Sequence, residues 1–523
     1  MTNIVETQPN QASDFSLSRR QRNLLLAATA VSSGCGLAVE LLLGTLASYL
    51  VGNQALAYGV AIGGFLAAMG MGSYLSQFLA VSRYPHKQQQ QLLASFVKVE
   101  LLIAPLSALL PLGLFALFVI DGYLWLGLFL VTLVLGMLAG LEVPLLTRMI
   151  EQDKGVRGAI AGVLALDYVG ALLGSLAFPV LLLPLLGMFP TAAVIGALPA
   201  FMVFAIARAF PGLRQWSIWG LLVGILLCAF AQLVVPVGNA LESNLYDAPV
   251  ITRLQSPYQR IVLTRWSQDM RLFLDGDLQF STLDEYRYHE ALVHPAMSAS
   301  ASPRRVLLLG AGDGMALREV LKWEDVEQVL VIELDPEVVK LGKSHPFLVQ
   351  ANENAFADPR VEVRYGDAFK IAPALSERFD VILADFPDPD RNGLAKLYSE
   401  GFYHRLTSRL TPTGVFVTQA SSPFFAPRAF ACVAATLEEA GSSVKPYVAN
   451  VPSFGPWGFI MAAPESLQLE SLKLPVPTRF LTEATLQNLF QLHNDIQFGN
   501  VEVNRLAHPV IVRYQSDRLW EAY

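Results

Sequence analysis

The sequence predicts a multi-pass α-helical membrane domain followed by a soluble α/β domain, a doubly wound sheet that opens with a small β-rich cap. Three observations predict it. Long apolar runs with short polar punctuation fill residues 23–236. Alternating apolar and polar residues then take over from about residue 254, the signature of half-buried strands. Further on, the glycine-rich turn 310–314 lies between a buried strand pattern and a helical one, and the three strand patterns read after it each carry an acid at their carboxyl end.

The helical half comes first in the chain. Of 523 residues, 53% are hydrophobic and only 15% charged, too apolar for an ordinary soluble protein. Seven runs near 23–51, 55–82, 92–119, 123–147, 158–187, 189–209 and 216–236 are each long enough to cross a bilayer as a helix. The first run is too long for a cleaved signal peptide and lacks a small-residue cleavage pattern. Basic residues fall in alternate connections: Arg19, Arg20 and Arg22, then Arg83 and Lys87, then Arg148, Lys154 and Arg157, then Arg208 and Arg214. That alternation places the amino terminus in the cytoplasm. Seven crossings from there leave the soluble half outside, unless one run, such as 158–187 with Pro179 and Pro184, fails to cross.

Four acids interrupt these runs. Glu40 and Asp167 fall mid-span among small residues and read as a functional pathway or an internal polar pair, whereas Glu100 and Glu142 read as near-interface residues. The stretch GGFLAAMGMGS, 63–73, predicts close helix packing. Cys35, Cys228 and Cys432 are too far apart to suggest a disulfide framework or a zinc site, so no metal is expected.

The boundaries follow from these patterns: a polar tail over 1–20, the membrane domain over 21–237, a linker over 238–253, the cap over 254–300 and the α/β domain over 301–523. Residues 1–240 carry 11 Lys plus Arg against 9 Asp plus Glu, and the rest of the chain carries 26 against 35. The soluble half is therefore acidic, which argues against nucleic acid and suits a cationic ligand. Within it, YQRIVLTRW and MRLFLDGDLQF form a β-hairpin region turning at Asp275, Gly276 and Asp277, and DEYRYHEALVHPAM forms a helix.

RVLLLG runs into GAGDG, where Gly310 and Gly312 let the backbone approach a ligand and the following helix start presents free amides. VLVIELD carries Glu333 about 20 residues on, where a carboxylate accepts both ribose hydroxyls of a nucleoside. VEVRYGD ends at Asp367 and FDVILAD at Asp385. Ligands of open parallel sheets bind at those strand ends.

Together, SPYQRIVL, LFLDGDLQFSTLDEYRYHEALVHP, GAGDG, VIELDP, YGDAF, DFPDP and LYSEGFY resemble the spermidine synthase family of aminopropyltransferases over about 254–523. The helical half, with SSGCGLAVELL and GGFLAAMGMGS, resembles the membrane part of proteins in which a transporter-like region precedes a spermidine-synthase-like domain. The resemblance implies a Rossmann-like, methyltransferase-type fold. It also implies a reaction: the aminopropyl group of decarboxylated S-adenosylmethionine passes to putrescine, giving spermidine and methylthioadenosine. No permanently bound cofactor is implied; the nucleoside donor is a co-substrate.

By the same resemblance Asp385 is the general base and Asp388 the holder of the amine. Gln259 and His289 contact the donor, Asp313 pairs with its terminal ammonium, Glu333 takes the ribose, and Asp367 and Ala368 meet the adenine. Tyr288 forms an aromatic wall, with Tyr398 and Gln419 lining the pocket. Asp390 is expected in solvent. The chemistry suits these assignments: a sulfonium is already an activated leaving group, while an alkyl ammonium must lose a proton before it attacks. Ordinary S-adenosylmethionine would bring an extra carboxylate towards Asp313.

The segment VPSFGPWGF, 451–459, departs from the family, with Val451 at the position of a substrate-closing tyrosine, and Trp457 is expected to supply a replacement wall. Two other readings stay open. One is an S-adenosylmethionine-dependent methyltransferase; the other is a membrane polyamine transporter or sensor with a non-catalytic synthase-like domain. The partners expected are a polyamine, the lipid bilayer and a second copy of the chain in a homodimer. The setting is the inner membrane, with the catalytic domain facing the cytoplasm.

Overall fold

The computed structural model describes residues 17–51, 54–80, 85–119, 123–496 and 498–516. Arg83, the first 16 residues and the last seven lie outside these, as does the side chain of Lys154. The chain divides into two compact units, Met1–Asp247 and Ala248–Tyr523.

The first unit is helical: α1 (Arg19–Val51), α2 (Gln54–Leu75), α3 (Pro85–Val119), α4 (Leu124–Ala177), α5 (Met188–Ala209) and α6 (Arg214–Ser243). Gly155, with φ 70° and ψ 167°, interrupts α4 and separates two apolar stretches. The described residues thus contain seven helices long and apolar enough to cross a membrane. Pro179 and Pro184 do not break the 155–186 stretch; Pro179 falls where it loosens into a π-helical turn, Phe178–Leu182, and Pro184 in the last α-helical turn, Leu183–Leu186, before Gly187.

Small residues let these helices cross closely. A Cβ on Gly72 would come within 2.0 Å of the Met137 carbonyl oxygen, and one on Gly170 within 2.0 Å of that of Ala30. Gly72 belongs to the glycine stretch predicted to pack tightly; its neighbours Gly63 and Gly70 meet nothing. Glu100 and Glu142 are deeply buried between helices, whereas Asp167 remains half-buried. Helical spacing turns both glutamates inward, a choice that position along a run does not reveal.

The linker expected over 238–253 is also shorter, because α6 continues to Ser243 and the first strand starts at Val250. Pro236 does not end that helix.

The second unit contains two sheets. The cap is a four-stranded antiparallel meander, β1 (Val250–Gln255), β2 (Arg260–Trp266), β3 (Asp269–Leu274) and β4 (Asp277–Ser281), followed by α7 (Glu285–Ala299). The main sheet has seven strands: β5 (Arg305–Gly310), β6 (Gln328–Glu333), β7 (Val361–Tyr365), β8 (Phe379–Asp385), β9 (Leu410–Gln419), β10 (Ser443–Val451) and β11 (Gly455–Ala463). Their spatial order is β10-β11-β9-β8-β5-β6-β7. β5 to β9 pair in parallel, and the β10–β11 hairpin adds antiparallel edges.

Successive residues of the central strands enter opposite cores. Leu307, Leu309, Ile382 and Ala384 face one, and Val306, Leu308, Val381 and Leu383 the other. Burial of each such aliphatic side chain is worth about 1.5–3 kcal/mol, so packing on both faces fixes the register of the strands. The strand order reverses at β5, which pairs with both β6 and β8. This switch point opens a crevice at the carboxyl ends of the strands.

Candidate active site

The site grows from this crevice. Gly310 pairs across the sheet with Asp385, and with φ 82° a Cβ there would lie 2.2 Å from the Asp385 carbonyl oxygen. The turn continues through Ala311 and Gly314, both at positive φ, into α8 (Met315–Leu321). Gly312 brings the loop against the Glu333 carboxylate, 2.8 Å from where a Cβ would sit. Only glycine admits both close approaches.

Glu333, the last residue of β6, accepts a hydrogen bond from the Asp335 amide at 3.0 Å. Burial pushes its pKa up to about 7 against the opposing pull of backbone amides. Asp313 accepts from the Met315 amide at 2.8 Å. Burial raises its pKa, with the His289 charge and that amide opposing.

α7 supplies the facing wall. The Tyr288 hydroxyl donates to Asp385 Oδ1 at 2.6 Å. His289 Nδ1 lies 2.7 Å from Glu285 Oε2 and 2.8 Å from the Glu285 carbonyl oxygen. The two Glu285 oxygens accept in turn from Arg318 on α8, at 2.9 and 3.1 Å. Burial works against protonation of His289. The Glu285 carboxylate, helped by Asp313 and Asp385, nevertheless raises its pKa to about 9, so it carries charge at neutral pH. Burial raises Asp385 to about 6, with the His289 charge opposing and Asp313 reinforcing.

Asp388 is held more firmly. Its Oδ1 accepts from Ser421 Oγ at 2.8 Å and Gln419 Nε2 at 3.1 Å, and its Oδ2 from Gln515 Nε2 at 2.7 Å. Burial still outweighs these donors, and its pKa lies near 6.

The other expected site residues are held by their neighbours. Tyr398 is fully buried and donates to the Pro387 carbonyl at 3.0 Å. Gln419, 2% exposed, donates to the Phe386 carbonyl at 2.8 Å and to the Tyr398 hydroxyl at 2.6 Å. Both support the acidic loop through its main-chain carbonyls, which need donors. Gln259 reaches Asp335 at 3.0 Å, where Ser256 Oγ also donates at 2.6 Å, tying the cap to the main sheet. Asp367 accepts from the Phe369 amide at 3.0 Å and pairs with Lys396 at 2.7 Å; Ala368 begins the short helix there.

Trp457 stands one ring away from the place expected of it. Phe454 lies between, 6.2 Å from Tyr288 and 5.2 Å from Trp457, centroid to centroid. The Trp457 indole nitrogen is buried without a partner. Val451 is fully buried in β10. Asp390, expected in solvent, is half-buried and pairs with Arg391 at 3.3 Å.

Sequence reasoning missed a second group of acids. Asp275 accepts from the Arg260 amide at 2.8 Å and pairs with Arg391 at 3.4 Å. Asp277 is exposed to solvent. Its partial burial, then the charges of Asp390, Asp388 and Asp275 against that of Arg391, push its pKa up to about 6. The hairpin at 275–277 therefore brings two carboxylates towards the 385–390 loop. Their sequence signal, DGD, reads equally as turn punctuation. Gln515 and Ser421 carry no sequence signal, since their roles depend on chain segments far apart.

No group of three or more metal-ligating side chains occurs among the described residues. The arrangement places Glu333 and Asp313 at the strand ends, and beside them carboxylates able to take up cationic nitrogen and one proton.

Comparison with known proteins agrees with this chemistry. A Spermine/spermidine synthase domain matches residues 285–471. Polyamine aminopropyltransferase 1 of Ralstonia nicotianae is 41% identical over 98% of both chains. Polyamine aminopropyltransferases of Leptospira interrogans and Oceanobacillus iheyensis are each 37% identical, covering 94% and 96% of this chain and 97% and 99% of their own. These relatives match through the helical half as well. A crystal structure of a spermidine synthase in complex with the transition state analogue AdoDATO is 27% identical, with a TM-score of 0.45, over 47% of this chain and 86% of that one.

Proposed function

The chain belongs to the polyamine aminopropyltransferase family, and from that membership we propose that it transfers the aminopropyl group of decarboxylated S-adenosylmethionine to putrescine or a related diamine, releasing spermidine and methylthioadenosine. One observation carries the reading at the level of residues. Asp385 stands at the strand-order reversal beside the glycine turn, its Oδ1 fixed by Tyr288.

The roles are those the family resemblance implies, and the chemistry suits them. Glu333 takes the ribose hydroxyls, Asp367 and Ala368 flank the adenine, and Gln259 and His289 frame the donor. Asp313 receives the donor's terminal ammonium. The diamine arrives as a dication, drawn by Asp388 and by the Asp277 and Asp390 carboxylates behind it. Tyr288 occupies one oxygen of Asp385, and the other takes the proton from the attacking ammonium. The freed lone pair forms the new N–C bond, and the C–S pair returns to sulfur, which leaves as a neutral thioether. A general base with a pKa near 6 is ionised at neutral pH yet more basic than an ordinary aspartate. Donor and acceptor are held in line, which converts an encounter in solution into a step within one complex.

Donor choice tests the reading. Decarboxylated S-adenosylmethionine should compete for the site with an affinity about tenfold or more above that of S-adenosylmethionine, whose carboxylate meets Asp313 in a partly dry pocket. Equal affinity together with methyl transfer to any acceptor would replace this reading with a methyltransferase.

The pH profile offers a second check. At saturating donor, kcat/KM for the diamine should fall on the acid side with apparent pKa values near 6, because Asp385 and Asp388 lose their charges there. A profile flat down to pH 5 would contradict the assignment of either carboxylate to the amine.

The helical unit is assigned to the bilayer of the inner membrane, supported by its seven apolar helices. The basic residues of alternate connections favour a cytoplasmic amino terminus. The catalytic unit is assigned to the cytoplasm with its cytosolic donor, which requires an even number of crossings. One of the seven stretches, for instance 155–186 with its π-helical turn, then does not span. A carboxyl-terminal fluorescent-protein fusion should glow and an alkaline phosphatase fusion stay inactive; the reverse places the domain outside. The homodimer expected of the family is read from the mass of the detergent-solubilised chain by light scattering.

A further inference from the structure

The helical unit buries two carboxylates for which aminopropyl transfer has no use. Glu100 on α3 is 0% exposed and Glu142 on α4 is 5% exposed. Both line one cavity of about 10 Å³, measured for the centre of a water-sized particle. That is room for about one water or one ion stripped of its hydration shell. Ser32 and Cys35 of α1 and Ser107 of α3 complete its polar lining, and no basic side chain lines it.

The polar atoms here are only partly satisfied. Ser32 Oγ donates to Glu100 Oε1. Glu100 Oε2 and Ser107 Oγ, both fully buried, have no hydrogen-bond partner among the described residues. The charges facing the site are all of one sign: Glu142 is faced by Glu100 and by Asp167 from further along α4, and Cys35 by both glutamates. Two buried carboxylates without a counter-charge do not persist; a bound positive charge must neutralise them.

We propose that Glu100 and Glu142 hold one small monovalent cation, a proton or a sodium ion, with Glu100 Oε2 and Ser107 Oγ as its open ligands. Size and donor number select this class. Calcium takes six to eight oxygens and magnesium six, usually keeping several waters, whereas this cavity offers two carboxylates and two hydroxyls around room for one particle. A polyamine chain does not fit. The site draws on side chains of α1, α3 and α4, so occupancy ties three helices together.

The test uses the full chain in detergent, with its thermal unfolding midpoint followed from pH 5 to 9 in sodium chloride and in N-methylglucamine chloride at equal ionic strength. With sodium as occupant, sodium should raise the midpoint by about 3 °C or more at fixed pH. With a proton as occupant, the midpoint should ignore sodium and rise as pH falls. In either case Glu142→Gln should diminish that response relative to wild type, leaving only the pH dependence that the raised carboxylates of the catalytic unit contribute. Ser107→Ala, which deletes one oxygen and leaves packing almost intact, should weaken the apparent cation affinity about threefold or more. Sodium and pH responses unchanged from wild type in both variants would overturn the proposal, as would a Ser107→Ala protein that folds normally and binds the cation with wild-type affinity while Glu142→Gln shows no change.

Discussion

Replacing Asp385 with Asn is expected to lower kcat about 10³-fold, within the 10²–10⁴ range of general-base contributions, while the affinity for the donor stays within about twofold. The carboxamide preserves size and can still accept from Tyr288, whose hydroxyl lies 2.6 Å from Oδ1, so the site keeps its shape. It cannot take a proton from an alkyl ammonium. The diamine then remains protonated beside an electrophile it cannot attack. Equilibrium binding of the donor and single-turnover rates with both substrates separate the two effects. A loss below tenfold, or lost donor binding with unchanged turnover per bound complex, would show that Asp385 is not the base.

The second large effect is structural. Gly310→Ala should cost about 2–5 kcal/mol, the sum of a left-handed conformation at φ 82° and a clash that neither backbone can avoid. The clashing atom is the Asp385 carbonyl oxygen, 2.2 Å from the added Cβ. Strain at this point pries the base away from the glycine turn, so donor affinity and transfer should fall together with the thermal midpoint. Gly393→Ala is the matched control, because a Cβ there meets nothing within 4 Å, and it should leave all three near wild type. A Gly310→Ala protein with wild-type midpoint and affinity would show that the two strand ends need not meet so closely.

The sequence made the frame of the site legible because its signals are local. A strand, a glycine turn and a helix start follow one another within about fifteen residues, the acids at 333 and 385 each close a strand whose apolar pattern is continuous, and Asp367 lies just past the alternating VEVRY. Backbone pairing then places Gly310 opposite Asp385 with no further information needed. Other parts depended on segments that meet only in the fold. Tyr398 and Gln419 are pocket residues by the family resemblance alone, and only the fold shows them donating to the carbonyls of Pro387 and Phe386. Asp390 reads as exposed until Arg391 and the 275–277 hairpin close over it.

The helical half shows the same limit in another form. Hydropathy finds the seven helices, but the side of a helix that an acid occupies depends on its neighbours. Glu100 and Glu142 thus passed for interface residues until α1 and α3 packed around them.

The most direct test of the account supplies the purified full chain with decarboxylated S-adenosylmethionine and putrescine and counts the products. The account predicts methylthioadenosine and spermidine in equal amounts, with neither formed when the diamine is left out. Absence of methylthioadenosine with both substrates present, together with no measurable affinity for either, would contradict it.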